Sequence, residues 1–377
     1  MPENLNKIGK TALAHDYLNQ CGGAENVLKV LAEIFPEAPI YTLFYDEKKT
    51  RNYFSNRVKK TSFLDFEIVR NNHRAFIPLL PLASGNLKIE SGYDLVVSSS
   101  AGYAKGFNCR NAFHICYCHT PLRYAWEKNY LKGLNLFRIP LLKILAKPIR
   151  AFFRYWDKKT SRRVDVFIAN SHFTAQKIRN FYDREAEVIY PPINLQKFYP
   201  DPFGKKRSYF LMVGRMLHYK RFDLGIEAFN QLGLPLKIVG EGPEFIKLKS
   251  LAKSPLIEFH SYVENLDELR KIYSGARALI FPQTEDFGMV AAEAQACGLP
   301  VIGYNSGGAK EIVIEGKTGL LFNEQTPEAL IKAVYLFEKT KFSESEILKN
   351  ARRFSKENFK AKFMKILIKY HENFNRS

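Results

Sequence analysis

Nowhere in its 377 residues does the sequence hold an apolar run long enough to cross a bilayer, which takes roughly 18 residues or more, and no basic leader runs into an apolar stretch. The expectation is a cytoplasmic protein. A G-x-G-x-x-G fingerprint, a G-x-x-x-x-G-K-[ST] loop, a G-x-S-x-G elbow and a D-x-D dyad are all missing. Hydride transfer thereby loses its main support. Repeats, low-complexity tracts and heptad arrays are absent too. Cysteine is scarce and odd in number, at 5, which is not the disulfide framework of a small secreted domain. Reduced thiols are expected.

What the chain has in excess is positive charge: 57 Lys and Arg against 38 Asp and Glu, a net +19. Such a surplus favours a polyanionic partner, whether nucleic acid, an anionic membrane surface or a diphosphate ligand. Between Arg138 and Arg163 the cations Lys143, Lys147, Arg150, Arg154, Lys158, Lys159 and Arg162 meet a single acid, Asp157. Leu142, Leu145, Ile149, Phe152, Phe153 and Trp156 recur there at helical spacing, and Pro148 predicts a kink or restart. Two readings stand: a cationic amphipathic surface resting on anionic lipid, or a domain helix with a solvated basic face.

The first half alternates strands with helices. Thr11–His15, Asp94–Ser98, Ala112–Cys118 and Val164–Ala169 read as buried strands, with helical stretches over Gly23–Phe35 and Ser171–Phe181. Prolines 191, 192, 200 and 202 with Gly204 then interrupt the pattern as a linker does. A second alternation follows, with strands over Ser208–Val213, Leu236–Val239, Ile257–Phe259, Ala278–Phe281 and Pro300–Tyr304. This predicts two doubly wound α/β domains, 1–195 and 196–355, followed by an amphipathic helix over 356–377 carrying Phe359, Phe363, Ile366 or Leu367, and Tyr370.

The stretch from Phe281 to Tyr304 is the most informative. A strand ends, Glu285 appears, Asp286-Phe287-Gly288 turns the chain, and a helix of small residues carries Glu293. In a doubly wound sheet the carboxyl ends of the strands face the ligand crevice, where helix amides at Gly288, Met289 and Val290 can receive phosphate and two carboxylates can accept hydrogen bonds from hydroxyls. A helix merely capped by acids is the plainer reading. Gly214-Arg215 ends another strand of the same half, with Lys220 five residues on, a pair able to neutralise a diphosphate without metal.

In the first half, Asn19–Glu25 reads NQCGGAE, whose adjacent glycines, Gly22 and Gly23, allow close backbone approach to phosphate at a helix start. His119 stands at a strand end before Pro121, placed either to bond a substrate hydroxyl or to serve the fold. His114, Cys116 and Cys118 share a strand face with no metal-ligand spacing.

These elements together resemble glycosyltransferase family 4, the retaining GT-B enzymes, and its O-antigen mannosyltransferase-like branch. EDFGMVAAE supplies the family's E-x7-E motif, continued by AQACGLPVIGYNSGGAKEIV and TGLLF; ANSHFT and IYPPIN match its run into the linker. The resemblance implies two Rossmann-like domains facing a central cleft, with the terminal helix crossing back to the first. It implies that Glu285 binds donor-sugar hydroxyls, that amides from Phe287 to Val290 hold sugar and phosphate, and that Glu293 binds ribose. Arg215 and Lys220 would hold the diphosphate, Gly22 and Gly23 would form the facing loop, and His119 would approach the reacting sugar. The activity implied is transfer of a hexose, mannose from GDP-mannose by branch, without metal or other cofactor, to a glycan or lipid-linked acceptor at the inner membrane face. A sugar-nucleotide 2-epimerase of the same architecture is the alternative. A nucleic-acid partner is not expected, because the basic residues form no recognised binding module.

Overall fold

A computed structural model describes residues 9–109, 111–127, 140–202 and 207–374. The chain divides into two compact units: Met1–Ile189 with Lys360–Ser377, and Tyr190–Phe359.

Unit 1 contains β1 (Thr11–His15), β2 (Ile40–Thr42), β3 (Val58–Lys60), β4 (Leu95–Ser100), β5 (Phe113–Cys118), β6 (Val166–Ala169) and β7 (Ala186–Val188). Between them lie α1 (Gly23–Ile34), α2 (Glu67–Asn72), α3 (Leu80–Asn86), α4 (Arg123–Trp126), α5 (Pro140–Ser161) and α6 (His172–Tyr182). The strands pair in parallel in the order β3-β2-β1-β4-β5-β6-β7. Central strands of such a sheet are covered on both faces, and every residue of β4 is buried, Ser98, Ser99 and Ser100 included.

Unit 2 contains β8 (Tyr209–Val213), β9 (Leu236–Val239), β10 (Ile257–His260), β11 (Ala276–Phe281), β12 (Val301–Tyr304) and β13 (Gly319–Phe322). Its helices are α7 (Phe222–Leu232), α8 (Phe245–Leu251), α9 (Leu266–Gly275), α10 (Met289–Ala296), α11 (Ala309–Ile312), α12 (Pro327–Lys339) and α13 (Glu344–Ala351). The sheet is again parallel, in the order β10-β9-β8-β11-β12-β13. Both orders reverse beside the unit's first strand, the doubly wound pattern.

The unit boundaries fall six residues before and four after those expected, at 189/190 and 359/360 in place of 195/196 and 355/356. The reason is local. The Ile193 amide donates to the Phe354 carbonyl at 2.7 Å, and Tyr190 packs on Phe287 and Phe354, which ties this segment into unit 2. The last helix, α14 (Lys356–Phe374), joins unit 1 from Lys360 onward. There Phe363 meets the Phe35 ring edge-on, Lys360 pairs with Glu33 at 2.7 Å and Lys369 with Glu187 at 2.6 Å.

The basic stretch is helical as expected, but α5 runs through Pro148 without restarting. Its second half is held by the core of unit 1, which fixes the helix axis beyond the proline: Phe153 and Asp157 are fully buried. The expected apolar stripe is split, since Phe152 faces outward at 43% exposure while Ile149 and Trp156 are half-buried. Arg138 and the side chains of Leu142, Lys143 and Leu145 lie outside the described residues. Asp157 does not oppose the basic face at all. It accepts from Lys105 Nζ at 2.5 Å, Trp126 Nε1 at 2.7 Å and the Tyr182 hydroxyl at 2.8 Å.

Removing one member of a buried pair leaves the other charge uncompensated, which costs far more than the pair is worth. Lys105→Met should therefore destabilise unit 1 by about 3 kcal/mol. The sequence's 2 tryptophans, Trp126 and Trp156, both adjoin this pair, so their fluorescence in a urea titration reports it. An unchanged midpoint contradicts the prediction.

Candidate functional site

In unit 2 the order of strands reverses between the paired neighbours β8 and β11, so the connections that follow them lead to opposite sides, the position at which doubly wound sheets take their ligands. Beyond β8 the Gly214 amide donates to Val239 and the Met216 amide to Glu241, at 3.0 and 2.7 Å. This close approach needs glycine opposite: at Gly242, φ +158°, a Cβ would stand 2.4 Å from the Met216 carbonyl oxygen. Between these anchored residues Arg215 is exposed, with no ion pair among the described residues. A 3-10 turn, His218–Lys220, then carries Lys220 back to β11.

Lys220 Nζ pairs with Glu285 Oε1, and Gln283 Nε2 donates to the same oxygen at 3.2 Å. The two charged side chains keep only 12% and 16% of their surface exposed, so their pairing is far less screened than at an open surface. The Glu285 carbonyl receives the Gly308 amide at 2.8 Å. A side chain at Gly308 would put its Cβ 1.6 Å from the Phe287 carbonyl oxygen, so glycine alone permits this packing.

Gly288, at φ +100°, turns the chain into α10. The first amides of a helix have no acceptor within it, which leaves those of Met289 and Val290 to a ligand. Phe287 differs: its ring is buried against Tyr190 and Phe354, so only its backbone is offered to the site. Glu293 lies further along α10 and keeps part of its surface exposed. Burial of the carboxyl group pushes it up to about 7 from an ordinary 4.5, with the buried Tyr273 hydroxyl, donating to Oε2 at 3.3 Å, pulling the other way.

Unit 1 places Gly22 as the N-cap of α1, its amide donating to Glu25 Oε2 at 2.8 Å, and Gly23 as the first helical residue. His119 stands half-buried just past β5, its Nε2 bonded to Ser99 Oγ at 2.8 Å. Asp16, just past β1, accepts from Ser100 Oγ and from the amides of Ala101, Tyr103 and Ala104 at 2.5–3.1 Å. Burial raises its carboxyl, and these donors oppose the rise. His114, which shares the strand with Cys116 and Cys118, bonds Ser98 Oγ at 2.8 Å, and burial lowers its imidazole to about 4. Among the described residues no three His, Cys, Asp or Glu side chains gather as metal ligands would.

Of the residues singled out in the sequence, Lys220 and Glu285 are thus in direct contact, and Arg215, Gly288, Met289, Val290 and Glu293 belong to the same unit. Gly22, Gly23 and His119 belong to the other. Sequence reasoning passed over Tyr273, Gln283 and the glycines of Gly240-Glu241-Gly242. The last carried a readable signal, two glycines directly after a strand; Tyr273 and Gln283 carried none.

A family model described as glycosyl transferases group 1 matches residues 196–358, and one described as glycosyltransferase family 4 matches residues 21–197. An uncharacterized glycosyltransferase of Methanocaldococcus jannaschii is 29% identical over 210 residues, 54% of this chain and 58% of that protein. A GDP-mannose-dependent alpha-(1-6)-phosphatidylinositol monomannoside mannosyltransferase of Mycolicibacterium smegmatis is 26% identical over 205 residues, 47% of this chain and 54% of that one. The chain therefore spans little more than half the length of these curated relatives. Among solved structures, Anabaena HepE in complex with UDP aligns with a TM-score of 0.68 at 17% identity, over 96% of this chain and 100% of its own. That likeness establishes the same two-domain GT-B fold. With one family model ending where the other begins, the chain belongs to the group 1 glycosyltransferases of family 4.

Proposed function

We propose that the protein is a retaining glycosyltransferase that moves a hexose from a nucleoside diphosphate sugar onto a glycan or lipid-linked acceptor in cell-surface polysaccharide synthesis. The observation that carries this is the contact of Lys220 with Glu285 at the switch point of unit 2, beside the free amides that open α10. A cation, a hydroxyl acceptor and phosphate-directed amides are what a sugar diphosphate requires. GDP-mannose is the donor to test first, as the mycobacterial relative's name specifies it; UDP-hexoses come next, as HepE was crystallised with UDP.

In the reaction, the bond from the anomeric carbon to the diphosphate oxygen breaks and its electron pair stays on that oxygen. The acceptor hydroxyl forms the new bond on the same face and gives its proton to the departing phosphate. Arg215, Lys220 and the amides of α10 oppose the charge that builds there, which is the largest contribution such a site makes. Glu285 orients the sugar and Glu293 the ribose. No metal is assigned a part.

Glu285→Gln should lower turnover about a hundredfold, the cost of losing a charged transition-state contact, a loss far greater than the fall in melting temperature from leaving Lys220 without its partner explains. Arg215→Ala should weaken GDP or UDP binding and slow transfer. The assay is nucleoside diphosphate release with and without lipid-linked acceptors. Release that ignores the acceptor favours the epimerase, full activity in Glu285→Gln removes it from the site, and loss of activity on chelation overturns the metal-free mechanism.

Glu293 gives the site a pH dependence. A protonated carboxyl cannot accept a ribose hydroxyl as a carboxylate does, so donor affinity should fall as the pH drops through about 7, by nearly tenfold per unit below it. Stability should move the opposite way: between 4.5 and about 7 the folded protein holds this proton and the unfolded chain does not, so the group withdraws stability as pH rises. Calorimetric titration of nucleotide checks the first and thermal melting the second, each from about pH 5 to 8 on wild type and Glu293→Gln; parallel profiles would refute the assignment.

We assign the outer face of α5 to an anionic inner membrane surface. Lys147, Lys158, Lys159 and Arg162 are exposed there, as are Phe152 and Tyr155. No described helix is long and apolar enough to cross the membrane. Arg154 is better left intact, because its Nε donates to the Ala125 carbonyl and its guanidinium lies over Trp126. Changing the four exposed cations to Gln should release the protein from anionic vesicles in co-sedimentation, as should salt, since each contributes about 1 kcal/mol near such a surface. Binding indifferent to lipid charge and to these changes would make the face an ordinary solvated one.

A further inference from the structure

Arg221 is the one non-glycine residue in the described part of unit 2 with a left-handed backbone, φ 53° and ψ 39°. That conformation is unfavourable for a residue bearing a Cβ and persists only where its surroundings impose it. It closes the 3-10 turn that carries Lys220 and opens α7. Its side chain is held at both ends of the guanidinium. Nε donates to the Asp223 carboxylate at 3.2 and 3.3 Å, and Nη1 to Gln325 Oε1 at 3.3 Å.

Gln325 stands just before α12 and uses both ends of its amide: while its oxygen accepts from Arg221, its Nε2 donates to the Pro282 carbonyl at 2.8 Å. Pro282 follows β11 directly, three residues before Glu285. A closed circuit results, from Lys220 along the backbone to Arg221, across to Gln325, across to Pro282, along to Glu285 and back to Lys220. The Arg221–Asp223 contact alone would be a part-exposed pair of little worth. The neutral bridge from a third element gives it direction, because it joins the two loops whose spacing sets where Lys220 points.

We propose that Arg221 and Gln325 are positioning residues that clamp the loop after β8 to the end of β11 and so aim Lys220 at the diphosphate of the donor. This rests on the reading of Lys220 as the cation for the leaving group. Neither residue touches the substrate; both act through Lys220.

Arg221→Gly keeps the left-handed turn without steric cost and removes only the clamp, so it should fold. Together with Gln325→Ala it is to be titrated calorimetrically with GDP and UDP, alone and in a Lys220→Ala background. Each single change should weaken nucleoside diphosphate binding about fivefold and raise the donor KM by a similar factor with kcat reduced less. Arg221→Lys, which keeps a donor, should restore most of the loss. In the Lys220→Ala background the Arg221→Gly effect should shrink below about twofold, the mark of two residues acting as one. Equal losses in both backgrounds, or no loss in either, overturn the clamp alone. Undiminished affinity in Lys220→Ala itself overturns the reading of Lys220, and the clamp with it.

Discussion

Parallel pairing is the constraint from which the rest follows. A parallel strand cannot be reached by a tight turn, so each pairing demands a crossover, and every crossover begins at the carboxyl edge of the sheet. Chemistry is thereby concentrated at one edge, and most of all where the winding changes direction. Both units obey this with the same order through their first six strands, unit 1 adding β7 at the edge, yet they fill the position differently. In unit 1 the acid that follows the first strand, Asp16, turns inward and binds the loop after β4 with four hydrogen bonds. In unit 2 the equivalent strand ends in Arg215, exposed, with its neighbours pinned by Val239 and Glu241. One switch point is spent on holding its own backbone, and the other is left with charge to offer.

The main strands and helices were legible because burial on both faces leaves an apolar run, complete in β8 and broken by serine or histidine in β4 and β5. The short strands β2, β3 and β7 were not, since three residues carry no period. Glu285 and Glu293 were legible by their spacing around a glycine. Their partners were not. Tyr273 reaches Glu293 from a helix 20 residues earlier, and Asp157 finds Lys105 across 52. Such contacts depend on how helices stack on a sheet, which no local pattern encodes. Arg221 was hidden for a different reason: a left-handed turn is announced by glycine or asparagine, and here the imposing contacts come from Asp223 and Gln325.

The electrostatics of unit 2 show charges that satisfy one another within the protein. Lys220 and Glu285 are largely removed from solvent, and either charge alone would be expensive there. Paired, they are tolerated, and the Gln283 amide adds a second donor to the same carboxylate oxygen. In the donor complex proposed above, a sugar diphosphate exchanges these interactions rather than adding new ones, its phosphate oxygens taking up the ammonium and its hydroxyls the carboxylate.

That exchange has a consequence for selectivity. A ligand that offers phosphate without a sugar draws Lys220 away and leaves Glu285 with a single neutral donor among those found here. The penalty of an under-satisfied buried carboxylate then offsets part of what the phosphate gains. A ligand that offers both groups replaces both partners at once. Under the proposed assignment the pair would favour a ligand carrying both groups over free phosphates and nucleoside diphosphates, and the same physics would favour release of the product once the sugar has left. Glu293 would act in the same sense at the other end of the motif: burial raises its carboxyl to about 7, and ligand hydroxyls donating to it would favour the ionised form.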